Sequence, residues 1–265
     1  MSSMTLTSST FNRVNNCGDF MSIILNSSSV RVNLTQSVDC SGMSTNFFPL
    51  GNSTNPFRGT FEGNGFTISN VTINTNGQCA GIFCCGVGAT VMNVVFQDVN
   101  ITSSNYTAAN AGALFGVCQN GCNITNVNMT TSNPSKTNTI QCNGDYCGGL
   151  VGQFGNKSMA FDTSNMINCI VQNTFVVNFA CKTGGVVGEN NAHMKGCHNL
   201  GINGDPSRVV VQGNKYIGGH THFLTKKKPN IFISHSHLFL LCVKELWART
   251  MMERACQRVV LLQEL

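Results

Sequence analysis

Cysteine is the residue in this chain most capable of chemistry. Fourteen cysteines occur in 265 residues, and such density usually belongs to an oxidising compartment. Cys169 and Cys197 hold the same place in successive repeated segments. Stacked, their Cα atoms would lie about 5 Å apart, within disulfide range. Inward-facing reduced thiols fit that placement equally well. Cys118-x₃-Cys122 and Cys142-x₄-Cys147 fall in loop-like stretches. They admit local disulfides, free thiols or a four-cysteine zinc site, although zinc pairs usually have more tightly defined spacings.

Carboxylates are the next candidates, because glycoside hydrolysis needs two of them flanking one bond. Asp19, Asp39, Glu62, Asp98, Asp145, Asp162, Glu189 and Asp205 are scattered, and no two hold equivalent positions in adjacent repeats. Structural or solvated roles are expected for them. His220-x-His222 and His235-x-His237 have metal-ligand spacing but lie in a segment of different composition. No phosphate loop, dinucleotide fingerprint or nucleophile elbow is present. The expectation is a chain with no catalytic residue, cofactor or metal of its own.

Charge and composition narrow the classes further. Residues 1–219 carry nine Lys/Arg against eight Asp/Glu, a net +1, and residues 220–265 carry seven against three, a net +4. The nearly neutral body argues against nucleic acid as a partner. No apolar stretch is long enough for a transmembrane helix. The first residues are polar and lack the apolar core of a signal peptide, so an exported form would need a further N-terminus or another route. Asn-x-Ser/Thr sequons occur at Asn26, Asn33, Asn52, Asn70, Asn100, Asn105, Asn123, Asn128 and Asn156. They are the candidate N-glycosylation sites of an extracellular or cell-surface protein, and a chain this rich in Asn, Ser and Thr also forms such triplets by chance.

The elements that position these residues show as an internal repeat. Gly112-Ala-Leu-Phe-Gly116, Gly148-Gly-Leu-Val-Gly152 and Gly184-Gly-Val-Val-Gly188 follow an earlier Ala80-Gly-Ile-Phe-Cys84, and a fifth copy breaks off after Gly218-Gly219. The starts are 32, 36, 36 and 34 residues apart, a period that means stacked architecture. No unit can bury its apolar side alone, so neighbours must stack. Short β-branched runs between Gly and Asn clusters read as strands, including Phe20–Leu25 and Val30–Leu34. Gly63-Asn64-Gly65 reads as a tight turn.

A second register places Ile68-Ser-Asn70-Val-Thr-Ile73 with Val91 to Phe96, Ile124 to Met129 and Met166 to Val171. It predicts a ladder of Asn70, Asn93, Asn126 and Asn168 at a bend, with Gly196 in the Asn place of a degenerate fifth copy. Stacked Asn side chains can hydrogen-bond one another and satisfy turn backbone.

The Gly-Leu-Val-Gly and Ala-Leu-Phe-Gly units resemble the GLUG repeat. The stretches Val32 to Asp39, Phe48 to Gly51 and Phe57 to Ile73 resemble the segment that commonly leads into it. The resemblance covers residues 20–219 and departs at Cys84, where the last Gly of the unit should stand. It implies a right-handed parallel β-helix of the pectate-lyase-like kind, found mostly in large secreted or surface proteins, with no catalytic residues in the repeat.

The expected fold is therefore all-β, a right-handed parallel β-helix of about six coils over residues 20–219. An irregular segment, 1–19, precedes it, and a non-repeat tail, 220–265, follows as a capping helix or a segment foreign to the repeat domain. The expected function is a non-enzymatic adhesion, binding or spacer scaffold with glycans or surface proteins as partners. An uncapped coil end would also allow end-to-end self-association. A carbohydrate-active β-helix enzyme, either polysaccharide lyase or glycosidase, is the alternative.

Overall fold

In a computed structural model, residues 11–26, 29–43, 49–105, 109–159, 162–178, 182–201, 210–213, 217–218 and 221–223 are described. Every strand pairing among them is parallel, and they form a parallel β-helix. Each coil visits four sheets in turn. Sheet 1 carries Thr60–Glu62, Thr90–Gln97, Asn123–Thr130, Asn165–Ile167 and His193–Lys195. Sheet 2 stacks Thr72–Thr75, Asn100–Ser103, Asn138–Cys142, Thr174–Asn178 and Val210–Gly213. The short strands of sheet 3 are Cys79–Ala80, Asn110–Ala111, Tyr146–Gly148, Lys182–Gly184 and Ile217–Gly218. Sheet 4 holds Phe83–Val87, Phe115–Gln119, Val151–Phe154, Val187–Asn190 and Thr221–Phe223. The broken fifth unit thus still supplies strands to sheets 3 and 4. The tail from 224 onward lies outside the described residues.

The recurring glycine units are the arches between sheets 3 and 4, and their last glycine has a steric cause. A Cβ on Gly152 would lie 2.6 Å from the Gly116 carbonyl oxygen and 2.7 Å from the Ala111 amide nitrogen. On Gly188 it would lie 2.7 Å from the Cys147 nitrogen. On Gly116 it would lie 2.6 Å from the Cys79 Cβ. In each case the glycine clears the sheet 3 strand of the preceding coil. Cys84 stands in register with Gly116, yet sheet 3 begins with Cys79–Ala80 of its own coil. With no earlier sheet 3 strand to clear, a side chain fits there.

The interior is a set of stacked apolar columns. Phe57, Phe83 and Phe115 stack ring on ring at 4.4 and 5.1 Å, and Val151 and Val187 continue the Phe83–Phe115 column. Sheet 1 contributes Val91, Val94 and Phe96, then Ile124, Val127 and Met129, then Met166, Cys169 and Val171, all buried. Two inward residues separated by three positions need a bend between them. Asn93, Asn126 and Asn168 provide it with φ of 54°, 53° and 53°, in the left-handed region that Asn tolerates better than most residues.

The strand expected at Phe20–Leu25 is instead part of an α-helix, Cys17–Asn26. Asn16 caps it by accepting from the Asp19 amide at 2.9 Å, and Asp19 accepts in return from the Asn15 amide and the Asn16 side chain. This satisfies donors that the first helical turn leaves unpaired. Phe20 packs on Phe61 and Phe83 at 5.2 and 6.1 Å, and a disulfide joins Cys17 to Cys40. Phe20 and Met21 are therefore buried against the N-terminal end of the core.

Candidate functional site

The outer surface where sheets 3 and 4 meet forms a groove of about 400 Å³. It follows from the register. Sheet 3 sets Cys79, Asn110, Tyr146 and Lys182 in one column. Sheet 4 sets Cys85, Val117, Gln153 and Glu189 in another. Across the groove, the Cys79 and Cys85 sulfurs are 3.0 Å apart at one end. One coil beyond Gln153, outside the groove lining, Lys182 Nζ lies 2.7 Å from Glu189 Oε1. The groove walls present Cys79, Cys85, Asn110, Val117 and Gln153, with Ser53, Pro56, Gln78, Gln119, Asn156 and Lys157 around them.

Electrostatics differ along the two columns. Glu189 is fully buried and its Oε2 has no hydrogen-bond partner, while Lys182 is mostly buried. The Lys182 and Lys157 ammonium groups lie 5.2 and 5.8 Å from the Tyr146 ring centroid, within cation–π range. Lys157 is exposed. The Asn110 Oδ1 is buried and without a partner. At the cysteine end, Cys79 is bonded to Cys84, and burial pushes the neighbouring Cys85 thiol up to about 11. The three sulfurs lie within 4.8 Å of one another.

The other cysteines divide between bridges and thiols. Cys118 and Cys122 form a disulfide. Cys142 and Cys147 are buried free thiols, and burial raises Cys147 well above its ordinary value. Cys169, buried, and Cys197, half-buried, face each other on adjacent strands of sheet 1 as free thiols. Their mutual hydrogen bond lowers Cys197 to about 7 and raises Cys169.

An asparagine column follows the bend of sheet 1. Asn126 Nδ2 donates to Asn93 Oδ1 at 3.0 Å, and Asn93 Nδ2 donates to Glu62 at 3.1 Å. Asn168 and Gly196 continue the same bend, Gly196 with φ 63°. Asn70 does not belong to it. Pairing of Ser69 with Gln97 sets Asn70 beside Asp98, at a second bend. The cause is the Gly63-Asn64-Gly65 turn: four residues, 63–66, stand where the next coil has two, 93–94. Asn70 instead donates to Asp39 at 2.8 Å. Asn173 and Gly201 line the later turns of this bend, with φ of 50° and 71°.

The carboxylates sit at turns and ladder ends. Asp39 is lowered by its bond from Asn70 and by Ser41. Burial works against the charged form of Asp98, yet Lys136 at 2.8 Å and Ser132 more than offset it. Burial likewise opposes Asp162, but Ser164 and the backbone amides of Asn120, Ser164 and Asn156 hold it charged. Arg58 is exposed, Glu62 serves Asn64 and Asn93, and Asp98 serves Ser132 and Lys136. These three do not share a set of partners. Asp205 and the side chains of His220, His222, His235 and His237 lie outside the described residues.

Among the sequons, Asn52, Asn100 and Asn123 are exposed, and Asn33, Asn70, Asn105, Asn128 and Asn156 are partly covered. Asn156 Nδ2 is engaged by Asn120. The Asn26 side chain lies outside the described residues.

Comparison with known proteins adds two matches. A solved structure of a proposed immunoglobulin A1 protease from Bacteroides ovatus superposes with a TM-score of 0.62 over 83% of this chain and 64% of that one, at 20% identity. The likeness is one of fold. Halomucin of Haloquadratum walsbyi is 36% identical over 77 residues, which is 28% of this chain and 1% of halomucin. The chain thus spans a very small part of that relative. No model of a known protein family matches the chain, and no described helix is long and apolar enough to cross a membrane.

Proposed function

We propose that this chain is a non-enzymatic extracellular or cell-surface module of GLUG-like coils, which binds glycans or surface proteins through its polar groove and faces. One observation carries the reading: Glu62, Asp98, Asp162 and Glu189 are committed to architecture. Glu62 ends the Asn93–Asn126 ladder, Asp162 collects four backbone amides, Asp98 holds a loop through Ser132 and Lys136, and Glu189 is closed on Lys182. Glycoside cleavage needs a pair of carboxylates facing one bond, and these face their own turns. Disulfides at Cys17–Cys40, Cys79–Cys84 and Cys118–Cys122 suit an oxidising compartment.

The test uses the full chain, produced through a secretory route and incubated with a panel of polysaccharides. Retention and product release are scored in the same wells. Retention without cleavage is the expected result. Release of shortened products would overturn the reading and favour the carbohydrate-active alternative. The same preparation checks glycosylation by intact mass, with Asn52, Asn100 and Asn123 expected as the acceptors.

A further inference from the structure

We infer that Cys79, Cys84 and Cys85 form a thiol–disulfide exchange site, in which Cys79 bonds either cysteine in turn and the groove gains or loses a thiol. The inference is independent of the binding reading above.

The fold brings the three sulfurs together at the first arch. Cys79 opens sheet 3, Cys84 stands in the arch position, and Cys85 follows it in sheet 4. Cys79 is bonded to Cys84, and its sulfur lies 3.0 Å from that of Cys85. A disulfide spans about 2.04 Å, so Cys79 changes partner through side-chain shifts of about 1 Å. Gly116 packs over Cys79, where even a Cβ on the glycine would stand 2.6 Å from the Cys79 Cβ. That cover holds Cys79 against the other two. Cys85 is also buried, and Val117 of the next coil packs on the cluster.

The chemistry follows from which sulfur carries a proton. Bonded Cys79 has none, so Cys85 is the donor in the contact between them. When Cys85 loses that proton to water in the groove, its thiolate attacks the Cys79 sulfur. The Cys79–Cys85 bond forms, the Cys79–Cys84 bond breaks, and the electron pair leaves on Cys84, which takes up a proton. One disulfide and one thiol remain, so no external oxidant or reductant is consumed. The Cys84 and Cys85 sulfurs are 4.0 Å apart, less than the two legs laid end to end, so Cys85 must turn into line before it attacks. Burial pushes the Cys85 thiol up to about 11, which keeps the thiolate scarce at neutral pH and favours exchange in base. Lys157 is the one charged side chain among the groove-lining residues.

The two isomers present different grooves. Cys79 and Cys85 line it, and Cys84 does not. With Cys84 bonded, the lining includes a thiol. With Cys85 bonded, the thiol passes to the arch. A soft electrophile entering the groove therefore meets a nucleophile in the first isomer alone.

Disulfide mapping on the full, unreduced chain tests this. The chain is held at about pH 9, where exchange is faster, then alkylated with N-ethylmaleimide and digested in acid, which stops exchange. Peptide fragmentation between residues 84 and 85 assigns the label. Both pairings are expected, Cys79–Cys84 with Cys85 labelled and Cys79–Cys85 with Cys84 labelled, in amounts within about tenfold of each other. Cys84→Ser should keep the parent circular dichroism and pair Cys79 with Cys85, and Cys85→Ser should pair Cys79 with Cys84. A single pairing in the parent chain would refute the exchange, and that result does not depend on either variant folding. Label on Cys79 in the parent chain, or on both Cys79 and Cys85 in a folded Cys84→Ser, would refute it equally.

Discussion

At the scale of single residues, the asparagine bends ask one residue to do two things. It must sit at positive φ and hand a hydrogen bond to the coil beside it. Asn126 does both, at φ 53° and with Asn93 as acceptor. Left-handed backbone costs an ordinary L-residue about 1–2 kcal/mol, and glycine is largely spared. Asn126→Ala should therefore lower stability by about 1–2 kcal/mol in urea melts, and Asn126→Gly by clearly less. Equal losses would mean that the bond rather than the backbone governs the bend. Asp162 makes the corresponding acid–base prediction. Its folded-state pKa is depressed, so its contribution is fully present above the unfolded value of about 3.9 and fades as pH falls through the lower folded value. Asp162→Ala should cost about 2 kcal/mol at neutral pH by leaving amides unpaired. The gap from the parent chain should shrink below about pH 4. A gap independent of pH would assign the loss to packing.

At the scale of elements, the arch glycines separate steric need from composition. Gly152→Ala places a methyl against backbone atoms of Ala111 and Gly116, which cannot swing aside like side chains. A loss of about 3 kcal/mol or more is expected, at the upper end for overpacking. Gly42→Ala meets nothing within 4 Å and should be nearly neutral. Similar melting curves for the two variants would refute the close-approach explanation. This element was legible in the sequence because one steric demand recurs in three successive coils, at Gly116, Gly152 and Gly188, and selects one residue type. The Asn70 alignment failed for the opposite reason: the Gly63-Asn64-Gly65 turn inserts residues while preserving the look of the pattern around it. The helix Cys17–Asn26 carried its own start signal in Asn16 and Asp19, but the short apolar run Phe20–Leu25 masked it. The groove was not legible at all. Its lining residues Cys79 and Asn110 of one column and Cys85, Val117 and Gln153 of the other share a register and no chemistry, so only stacked strands bring them into one place.

At the scale of the whole molecule, stability is shared along the stack, and the N-terminal end needs its cover. Cys17–Cys40 closes a loop with a sequence separation of 23, which the chain-entropy estimate values at about 3 kcal/mol. Cys17→Ser with Cys40→Ser should lower the urea midpoint accordingly. It should also free the helix to lift, baring Phe61 and Phe83, which Phe20 now covers. Dimers or longer assemblies in sedimentation experiments would follow, giving the end-to-end association that the sequence suggested. A destabilised variant that remains monomeric would show that other residues guard this end.

The glycine that clears the preceding coil also makes the stack punctuated. An interior unit must have Gly at the arch, whereas Cys84 occupies that place only because no sheet 3 strand comes before it. The residue at one site therefore reports where a unit stands in the order. Copies built on Gly112–Gly116 or Gly148–Gly152 are interchangeable parts that could be duplicated to lengthen the stack of coils. The unit bearing Cys84 is an opening piece, and moved inward it would halt the array at the junction.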